Sequence, residues 1–582
     1  MQTSTRVELE LFDITAKRDS TASSKDAQPW GNLAEDLRLE ECTTQPQYGT
    51  LEHRQFLMDG SFTLFPDEPK GRFWGLWSKQ QSGPDGRFTV PPVLEVNFSQ
   101  PHSSAGITLH FYPLTQDWAS TVEIQWYGTE GQLLDSAAFQ PDAADYYCRL
   151  KVENYQRLRI SFSATNKPER YLKLEGLDYG AALTFQGEDV VQANLLEEVD
   201  PLSGEISINT LDLTLFNRSG EFSILNPDGV FDVLQDKQRI TVWEDVRPSA
   251  RSREVVSHNM GTFYLSDWEN TSDTMAKFSA TDAVGLLDSD PFDGGVYDTT
   301  AGALAAEILD GYAYELDPVL AVESVKGYLP AGTRRDALQQ LAFALGAMVD
   351  CSRSNKIKIC PPPNRPSSLI GRDRKFTDSE VSLHALVTEV SVTAHQYQLQ
   401  EKREQLYKSD LAEGTHRIAL SGPVDNLQAE GGTLLDWGNN FAVVKVTAAG
   451  QVIITGNRYA DTQTVLHRQA DGLPPNVKTN GKSVKDATLV SPDRADAVAQ
   501  RILRYYANRC EQTFEMVAGA EKLADVLMVE SFRRENVCGV LQKMELDLTG
   551  GFLASVTVLG HPVQHPAQLY VNEIYVGEEV LL

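Results

Sequence analysis

The 582-residue sequence contains little cysteine and no long apolar run. Its cysteines show no CxxC spacing, which argues against a zinc module and against a disulfide framework. We interpret them as small buried hydrophobic residues in a chain made in a reducing compartment. They are Cys42, Cys148, Cys351, Cys360, Cys510 and Cys538. No apolar stretch approaches the roughly 20 residues of a membrane span, and the opening residues lack the charged-then-apolar order of a secretion signal.

A basic tract is also missing. The chain has 81 acidic and 52 basic residues, for a net charge of −29, and the charge is spread along the sequence. Phosphate neutralisation needs clustered Lys and Arg, so specific nucleic-acid binding is not expected, and an anionic membrane surface is disfavoured. At about 100–200 residues per domain, the length predicts three to five domains.

Catalytic and metal-binding motifs are equally scarce. No GxSxG, P-loop, GxGxxG or HExxH pattern occurs, so no enzyme activity and no cofactor are expected. The run "DSDPFDGGVYD" superficially resembles a calcium loop, with carboxylates at Asp288, Asp290, Asp293 and Asp298. An EF-hand needs an oxygen ligand at its fifth position and Glu at its twelfth, and Phe292 and Thr299 stand there instead. We interpret the run as a polar turn without a metal.

A period of two dominates what is present. Residues 1–49 are predicted to be an N-terminal strand and lead-in, and 50–180 a β-sandwich resembling a carbohydrate-binding module. In the sandwich, apolar residues alternate at Leu94, Val96, Phe98, Ile107, Leu109, Phe111, Val122, Ile124, Trp126, Leu158, Ile160 and Phe162. A first β-barrel is predicted over 181–295 and a second, carrying one helix, over 366–562, followed by a tail at 563–582.

An αβ unit, predicted over 296–365, interrupts this pattern. Thr333 and Asp336 form a near capping box at the start of a helix, and Leu341 lies on its apolar face. A second helix is predicted to begin after Ser491 as N-cap, with Pro492 at its first position. The fold class is therefore mainly β with an α+β insert: a sandwich and two barrels separated by an αβ domain, which serves as spacer or cover between the barrels.

Aromatic and polar residues in and before the sandwich are candidates for sugar stacking and hydroxyl hydrogen bonds. The candidate glycan-binding residues are Trp74, Trp77, Asp117, Trp118, Asn166 and Arg170. The competing interpretation is that these rings pack the lead-in onto the sandwich. For each residue taken singly, that packing role is favoured.

Several segments, in order over about 185–560, resemble the hub or tail-tip proteins of bacteriophage tails, especially from prophages of Gram-positive gut bacteria. They are "LEEVDPLSGEISINTLDLTLFN", "LQDKQRITVWEDV", "MGTFYLSDWE", "ATDAVGLLDSDPFDGGVY" and "YLPAGTRRDALQQLAFALGAMVDCSRSNKIKI". The order of the segments is more specific than any one of them. The openings "LFDITAKRD" and "GTLEHRQFLMDGSFTLFPDEP" are similar to hubs that carry a sandwich before the first barrel.

The resemblance implies a homotrimer in which two barrels per chain build a pseudo-sixfold ring at the tail tip of a virion, after synthesis in the bacterial host cytoplasm. It implies contacts with a distal tail protein, the C-terminal end of the tape-measure protein and a tail fibre or receptor-binding protein. The sandwich is similar to galactose-binding-like folds, which implies host attachment through cell-wall glycan. We expect the strand "RVELELF" to belong to the hub barrel, with the sandwich inserted after it.

Two alternatives remain open at this point. One is a free carbohydrate-binding protein, or the non-catalytic part of a polysaccharide-active enzyme, which a secretion signal would favour. The other is the hub of a contractile bacteriocin or injection machine, which differs from the first hypothesis only in its surroundings. Many relatives continue into a fibre or a peptidoglycan-cleaving region, whereas this sequence ends about twenty residues after its last β block, so lytic activity is not expected.

Overall fold

The computed structural model describes residues 2–27, 48–49, 52, 64–65, 75–112, 116–218, 220–223, 225–226, 229–230, 234–247, 255–531 and 535–564. Strands make up most of the regular structure, as the mainly β prediction requires. Up to residue 300 they are β1 (Gln2–Phe12), β2 (Thr21–Ser23), β3 (Tyr48–Gly49), β4 (Leu64–Phe65), β5 (Leu76–Gln81), β6 (Val93–Phe111), β7 (Ala119–Tyr127), β8 (Leu133–Phe139), β9 (Asp145–Thr165), β10 (Tyr171–Asp178), β11 (Gly180–Gln186), β12 (Val190–Glu198), β13 (Thr210–Phe216), β14 (Arg239–Arg247), β15 (Val256–Ser272), β16 (Met275–Thr281), β17 (Pro291–Phe292) and β18 (Gly295–Thr300).

The remaining strands are β19 (Tyr314–Leu316), β20 (Ser324–Leu329), β21 (Gly332–Thr333), β22 (Met348–Asp350), β23 (Ile357–Cys360), β24 (Pro366–Ile370), β25 (Lys375–Leu383), β26 (Glu389–Leu411), β27 (Gly414–Ala419), β28 (Val424–Glu430), β29 (Thr433–Trp437), β30 (Phe441–Val446), β31 (Gly450–Gln469), β32 (Gly481–Val484), β33 (Cys510–Val517), β34 (Val526–Val529), β35 (Glu535–Asp547) and β36 (Leu553–Gln564). The α-helices are α1 (Ile14–Asp19), α2 (Ala283–Ser289), α3 (Ala301–Ile308), α4 (Pro318–Ala321), α5 (Arg334–Leu345) and α6 (Ala495–Ala507). A 3₁₀ turn spans Gly187–Asp189, and no described helix is long and apolar enough to cross a membrane.

The largest sheet has 13 strands and contains strands from both predicted barrels. Its first half runs β11-β1-β14-β15-β16-β13-β12, and its second half continues β35-β36-β33-β25, with β34 and β24 beside β35. The halves join directly where β12 pairs with β35, from Asn194 opposite Asp547 to Glu198 opposite Lys543. One apolar core contains side chains from both halves. The αβ unit is therefore not a spacer between the halves, since backbone hydrogen bonds already join them.

Strand β1 lies between β11 and β14 of the large sheet, which is where an insertion after the first hub strand would leave it. The chain leaves this sheet through α1 and returns at Gly180, which pairs with Phe12. Gly180 has φ +146°, and a Cβ atom there would collide with the Leu11 carbonyl oxygen. Glycine is required where the returning strand approaches β1 so closely.

Residues between these two points form a separate seven-stranded sheet, in the order β5-β10-β6-β9-β7-β8, with β2 added to β6. The long strands β6 and β9 carry three register shifts between Asn97 and Gly106, which bend the sheet so that its halves face each other. Phe111 and Phe162, which are not register partners, meet across the enclosed core at 6.4 Å. Because β2 (Thr21–Ser23) belongs to this sheet, the sandwich begins well before residue 50.

The αβ unit lies in a second core, which it shares with α6 and the start of β26. The capping box at Thr333 is present: its hydroxyl accepts from the Asp336 amide at 3.1 Å, and its own amide donates to the Asp336 carboxylate at 3.2 Å. Leu341 is fully buried here, beside α2 and α3 and away from the core of the large sheet. Helix α6 begins at Ala495 instead of Pro492, because the residues after Ser491 form a turn that closes on the Ser491 carbonyl.

The interval predicted as the second barrel, 366–562, is divided in the structure. Strands β24, β25 and β33 to β36 belong to the large sheet, whereas β26 to β32 form other sheets. The hairpin of β26 and β31 pairs from Glu389 with Gln469 to Leu411 with Gly450, and its far half encloses a small core of its own. The period of two is the same in both sets of strands, so the sequence pattern did not separate them.

The cysteines within the described residues are free thiols. Cys148, Cys351 and Cys510 are buried and the other two are half-buried. Burial raises the pKa of the Cys148 thiol to about 12, so this side chain stays protonated and unreactive at neutral pH. This agrees with cysteines that pack as small hydrophobic residues.

Candidate functional site

The predicted glycan-binding residues lie at one end of the sandwich, apart from Trp74, which lies outside the described residues. Trp77 is on β5, and its ring is buried with Tyr112 and against Tyr171, whose ring centre is 5.9 Å away. The first three residues of β5, Leu76 to Ser78, are all buried, so Trp77 lies inside the protein. It has no exposed face on which a sugar could stack.

Asp117 and Arg170 are also buried, and they belong to a cluster of charges that we call the ionic cluster: Glu52, Asp117, Lys167, Arg170 and Lys173. The Lys167 amine donates to Asp117 Oδ1 at 3.0 Å, and Arg170 Nε lies 3.6 Å from the same oxygen. Lys173 Nζ lies 2.8 Å from Glu52 Oε1 and 3.6 Å from Asp117 Oδ2. Of the five side chains, only Lys167 reaches solvent substantially.

Trp118 and Asn166 remain at the surface beside the cluster, each half-buried. Trp118 Nε1 donates to the Pro141 carbonyl at 3.1 Å, and its backbone amide donates to Asn166 Oδ1 at 3.2 Å. Asn166 Nδ2 in turn donates to the Gln116 carbonyl at 3.0 Å. The Asn166 side chain therefore fixes the loop before β7, and Trp118, Asn166 and Lys167 are the residues beside the ionic cluster that we consider as ligand contacts.

The structure thus brings the described candidates together but buries most of them. Sequence reasoning missed Glu52, Lys167 and Lys173, which complete the ionic cluster. Lys173 stands between Leu172 and Leu174 on β10, and all three side chains are buried because this strand is covered on both faces. A lysine in an alternating strand predicts a solvent face, so no sequence signal marks it as buried.

The four carboxylates of the acidic run, from Asp288 to Asp298, do not meet at one site. Asp288 pairs with Arg335 and Asp298 with Lys326, while Asp293 pairs with Arg417. Asp290 accepts a hydrogen bond from the Tyr312 hydroxyl at 2.5 Å. Among the described residues, no group of three or more His, Cys, Asp or Glu side chains is placed to hold a metal ion.

A cleft of about 430 Å³ lies on the solvent face of the large sheet, at the joint of its halves. Four carboxylates from three strands line it: Asp212, Glu515, Glu545 and Asp547. They belong to β13, β33 and β35, with two on β35. This acidic face is the opposite of a phosphate-binding surface.

Comparison with known proteins gives similarity in fold without similarity in sequence. No protein-family model matches the chain, and no curated protein matches its sequence. The structure is similar to a 43 kDa tail protein of prophage MuSo2 from Shewanella oneidensis, at 11% identity and a TM-score of 0.37, over 65% of this chain and 95% of that one. A tail protein from Neisseria meningitidis is similar at 8% identity and a TM-score of 0.39, over 65% and 93%.

Prophage tail protein gp18 from Listeria monocytogenes is similar at 10% identity and a TM-score of 0.37, over 65% of this chain and 91% of that one. All three solved structures are described as tail proteins. At such TM-scores the likeness assigns no function to this chain, and it says nothing about the sandwich.

Proposed function

We propose that this chain is a structural, non-enzymatic hub protein of a phage tail tip, which assembles as a homotrimeric ring between the tail tube and the receptor-facing end. The observation that carries the proposal is the joint of β12 and β35, which makes one 13-stranded sheet out of both predicted barrels. Its partners would be a distal tail protein, the tape-measure end and a tail fibre.

The two edges of this sheet supply a physical reason for assembly. Among the described strands, β25 pairs only with β33 at one edge, and β11 pairs only with β1 at the other. Strand β25 exposes Phe376, Val381 and Leu383. An unpaired edge with apolar side chains tends to pair with another chain. Contacts between unlike edges of successive copies form a ring when the rotation closes, and three copies would close it here.

The acidic cleft fits the same arrangement. If the solvent face of the sheet lines the channel, Asp212, Glu515, Glu545 and Asp547 would present negative charge to passing DNA. Repulsion between carboxylates and phosphates would keep the duplex from adhering to the wall. The net charge of −29 supports this use of the surface.

The mass of the purified chain in solution tests the ring. Light scattering should find a species near three times the 64.5 kDa chain mass. The double variant V381K/L383K places charge on the edge strand and should shift the population to monomer, because like charges would have to be buried in the interface. V465K, at a similarly exposed valine of the β26–β31 hairpin, is the matched control. A trimer that persists in V381K/L383K would overturn the edge contact, and a monomeric wild type would favour the free carbohydrate-binding protein.

A second role, adhesion to host cell-wall glycan, is proposed for the sandwich. It is supported by the partly buried Trp118 beside Asn166 and Lys167, since an aromatic residue next to polar groups suits sugar stacking. The full chain should sediment with walls of the host, and Trp118→Ala should reduce this binding about tenfold, as expected for the loss of one stacking contact of about 1.4 kcal/mol.

The full chain is the right material for this test, because a fragment cut at residue 50 would lose strand β2 from the sandwich. Trp437→Ala is the control, since Trp437 is 51% exposed on β29, which belongs to a different sheet from the sandwich. Equal binding by wild type and Trp118→Ala, or no binding to any of several host walls, would leave the sandwich a structural part of the hub.

A further inference from the structure

Three side chains of the ionic cluster meet in a setting that allows covalent chemistry. Lys173 and Glu52 are fully enclosed, and Asp117 is 1% exposed. The amine of Lys173 lies between the two carboxylates, 2.8 Å from Glu52 Oε1 and 3.6 Å from Asp117 Oδ2. The Trp77 ring, whose centre is 5.0 Å from the amine, covers one side. No bulk water reaches the amine or either carboxylate.

An ordinary ion pair contributes little net stability at such a buried position. Taking ions out of water costs several kcal/mol for each ion, and the mutual attraction offsets that cost only when hydrogen bonds satisfy the remaining atoms. Asp117 Oδ2 has no hydrogen-bond donor among the described residues, although it is buried and faces the Lys173 amine. Joining the amine and this carboxylate would replace two buried ions with one neutral amide.

We infer that Lys173 and Asp117 form an intramolecular isopeptide bond, with Glu52 as the proton carrier. Glu52 takes a proton from the Lys173 ammonium, and the neutral amine attacks the Asp117 carboxyl carbon. Nζ–Cγ forms, and the Cγ–Oδ2 bond breaks. Glu52 passes two protons from the lysine nitrogen to Oδ2, and Oδ2 then leaves as water. One amide and one water molecule replace the ammonium and the carboxylate, and no oxidant or other reactant is needed.

The neighbouring cations favour this step. The Lys167 amine donates to Asp117 Oδ1 at 3.0 Å, and Arg170 Nε is 3.6 Å from that oxygen. Both would stabilise the negative charge that develops on Oδ1 when the amine adds. Glu52 is fixed by the Tyr171 backbone amide, which donates to its Oε1 at 2.9 Å, so the proton carrier is held beside the nucleophile.

The bond would connect parts of the sandwich that the backbone ladder leaves apart. Lys173 is on β10 and Asp117 directly precedes β7, and in the sheet order β6 and β9 stand between these two strands. A cross-link there constrains the unfolded chain as a disulfide does, but thiol reductants cannot open it. A domain at the exposed end of a particle would then resist forced unfolding.

Mass spectrometry of the denatured full chain tests the inference. The wild type should weigh one water molecule less than its sequence, and trypsin should leave the peptides with Asp117 and Lys173 joined. Asp117→Asn should still react, but with loss of ammonia, because the amide nitrogen becomes the leaving group. Lys173→Met and Glu52→Gln should show the full sequence mass, and Lys151→Met, a lysine variant elsewhere in the sandwich, should keep the bond.

Peptide mapping makes the answer independent of how well the variants fold. A wild-type chain at its full sequence mass, with normal cleavage after Lys173, would overturn the inference outright. A mass deficit that persists in Lys173→Met, or that maps to other peptides, would do the same, because it would show dehydration elsewhere in the chain.

Discussion

The large sheet has two junctions of opposite kinds. At one, β12 and β35 join its halves through backbone hydrogen bonds, and Leu195 and Leu546, which are register partners, are both buried in the shared core. At the other, the sandwich meets the sheet through α1 and the strand ends around Gly180, where imidazole–carboxylate contacts occur.

His102 and His110 are the centre of the second junction. The His102 ring lies between two carboxylates, with Nδ1 3.0 Å from Asp13 and Nε2 2.9 Å from Asp19, at the two ends of α1. His110 lies between Asp145 and Asp178 at 2.7 and 2.8 Å. Lys17 of α1 also donates to Asp178, at 2.5 Å.

The two junctions should therefore differ in how their stability responds to pH and salt. A ladder over an apolar core has few titratable groups, so its stability depends little on pH or salt. Carboxylate–imidazole contacts depend on both. We therefore expect the large sheet to keep its structure under conditions that loosen the attachment of the sandwich.

The largest effect is expected at the sheet joint. Leu546→Asp buries an unpaired carboxylate between the halves and should lower the free energy of unfolding by about 4–5 kcal/mol. A loss of this size should leave most of the purified protein unfolded. Thermal unfolding and soluble yield measure it. Leu553→Asp, on the partner strand β36 but 38% exposed, is the control and should stay folded. A stable Leu546→Asp protein would mean that the halves do not share one core.

The next effect is expected at His102. His102→Ala leaves the buried Asp13 carboxylate without its partner and should cost about 2–3 kcal/mol at the sandwich junction only. Limited proteolysis should then cut near α1 while β12 and β35 stay protected. Hydrogen exchange that increases equally at both junctions would show that the two are coupled, against the comparison made above.

The sequence predicted the local features well, because those depend on neighbouring residues. The alternation at Leu94, Val96 and Phe98 gives a strand whose three side chains are buried. The capping pair Thr333 and Asp336 marks the start of α5 correctly. A turn, a cap and a strand face are each decided by a few consecutive side chains.

The sequence did not predict which distant strands pair. The joint brings residues near 196 beside residues near 545, and the sequence of neither strand indicates which strand it pairs with. For the same reason the β26–β31 hairpin was assigned to the barrel, since its alternation matches that of the large sheet. The ionic cluster was found only in part: Asp117 and Arg170 were named for their polarity, but only the fold shows that Glu52, Lys167 and Lys173 lie beside them.

A smaller, pH-dependent effect is expected at His110. Burial by itself would lower the pKa of His110, but the hydrogen bonds to Asp145 and Asp178 outweigh burial and raise the pKa to about 9, above the ordinary 6.5. The contacts therefore stabilise the folded chain fully below pH 6.5, and this contribution is lost as the pH rises through 9. Because Asp145 is largely exposed, we expect a loss of about 1–2 kcal/mol between pH 6 and 10.

The His110 variant separates this effect from general alkaline unfolding. His110→Gln cannot carry the charge, so its melting temperature should fall less between pH 6 and 10 than that of the wild type. Equal falls in the two proteins would assign the pH dependence to other groups and remove His110 from the account of the junction.

The smallest effect is expected at the exposed rim of the same junction, where Arg149 of the sandwich donates to Glu221, between β13 and β14, at 2.8 Å. Arg149 is 63% exposed, so solvent screens the pair, and Arg149→Ala should change the free energy of unfolding by no more than about 0.5 kcal/mol at low salt and by nothing measurable at high salt. Chemical unfolding at two salt concentrations measures it. Only a desolvated ion pair loses so much stability when one partner is removed. If Arg149→Ala lowered the free energy of unfolding as much as His102→Ala, the exposed rim contact, and not the buried histidine, would attach the sandwich to the sheet.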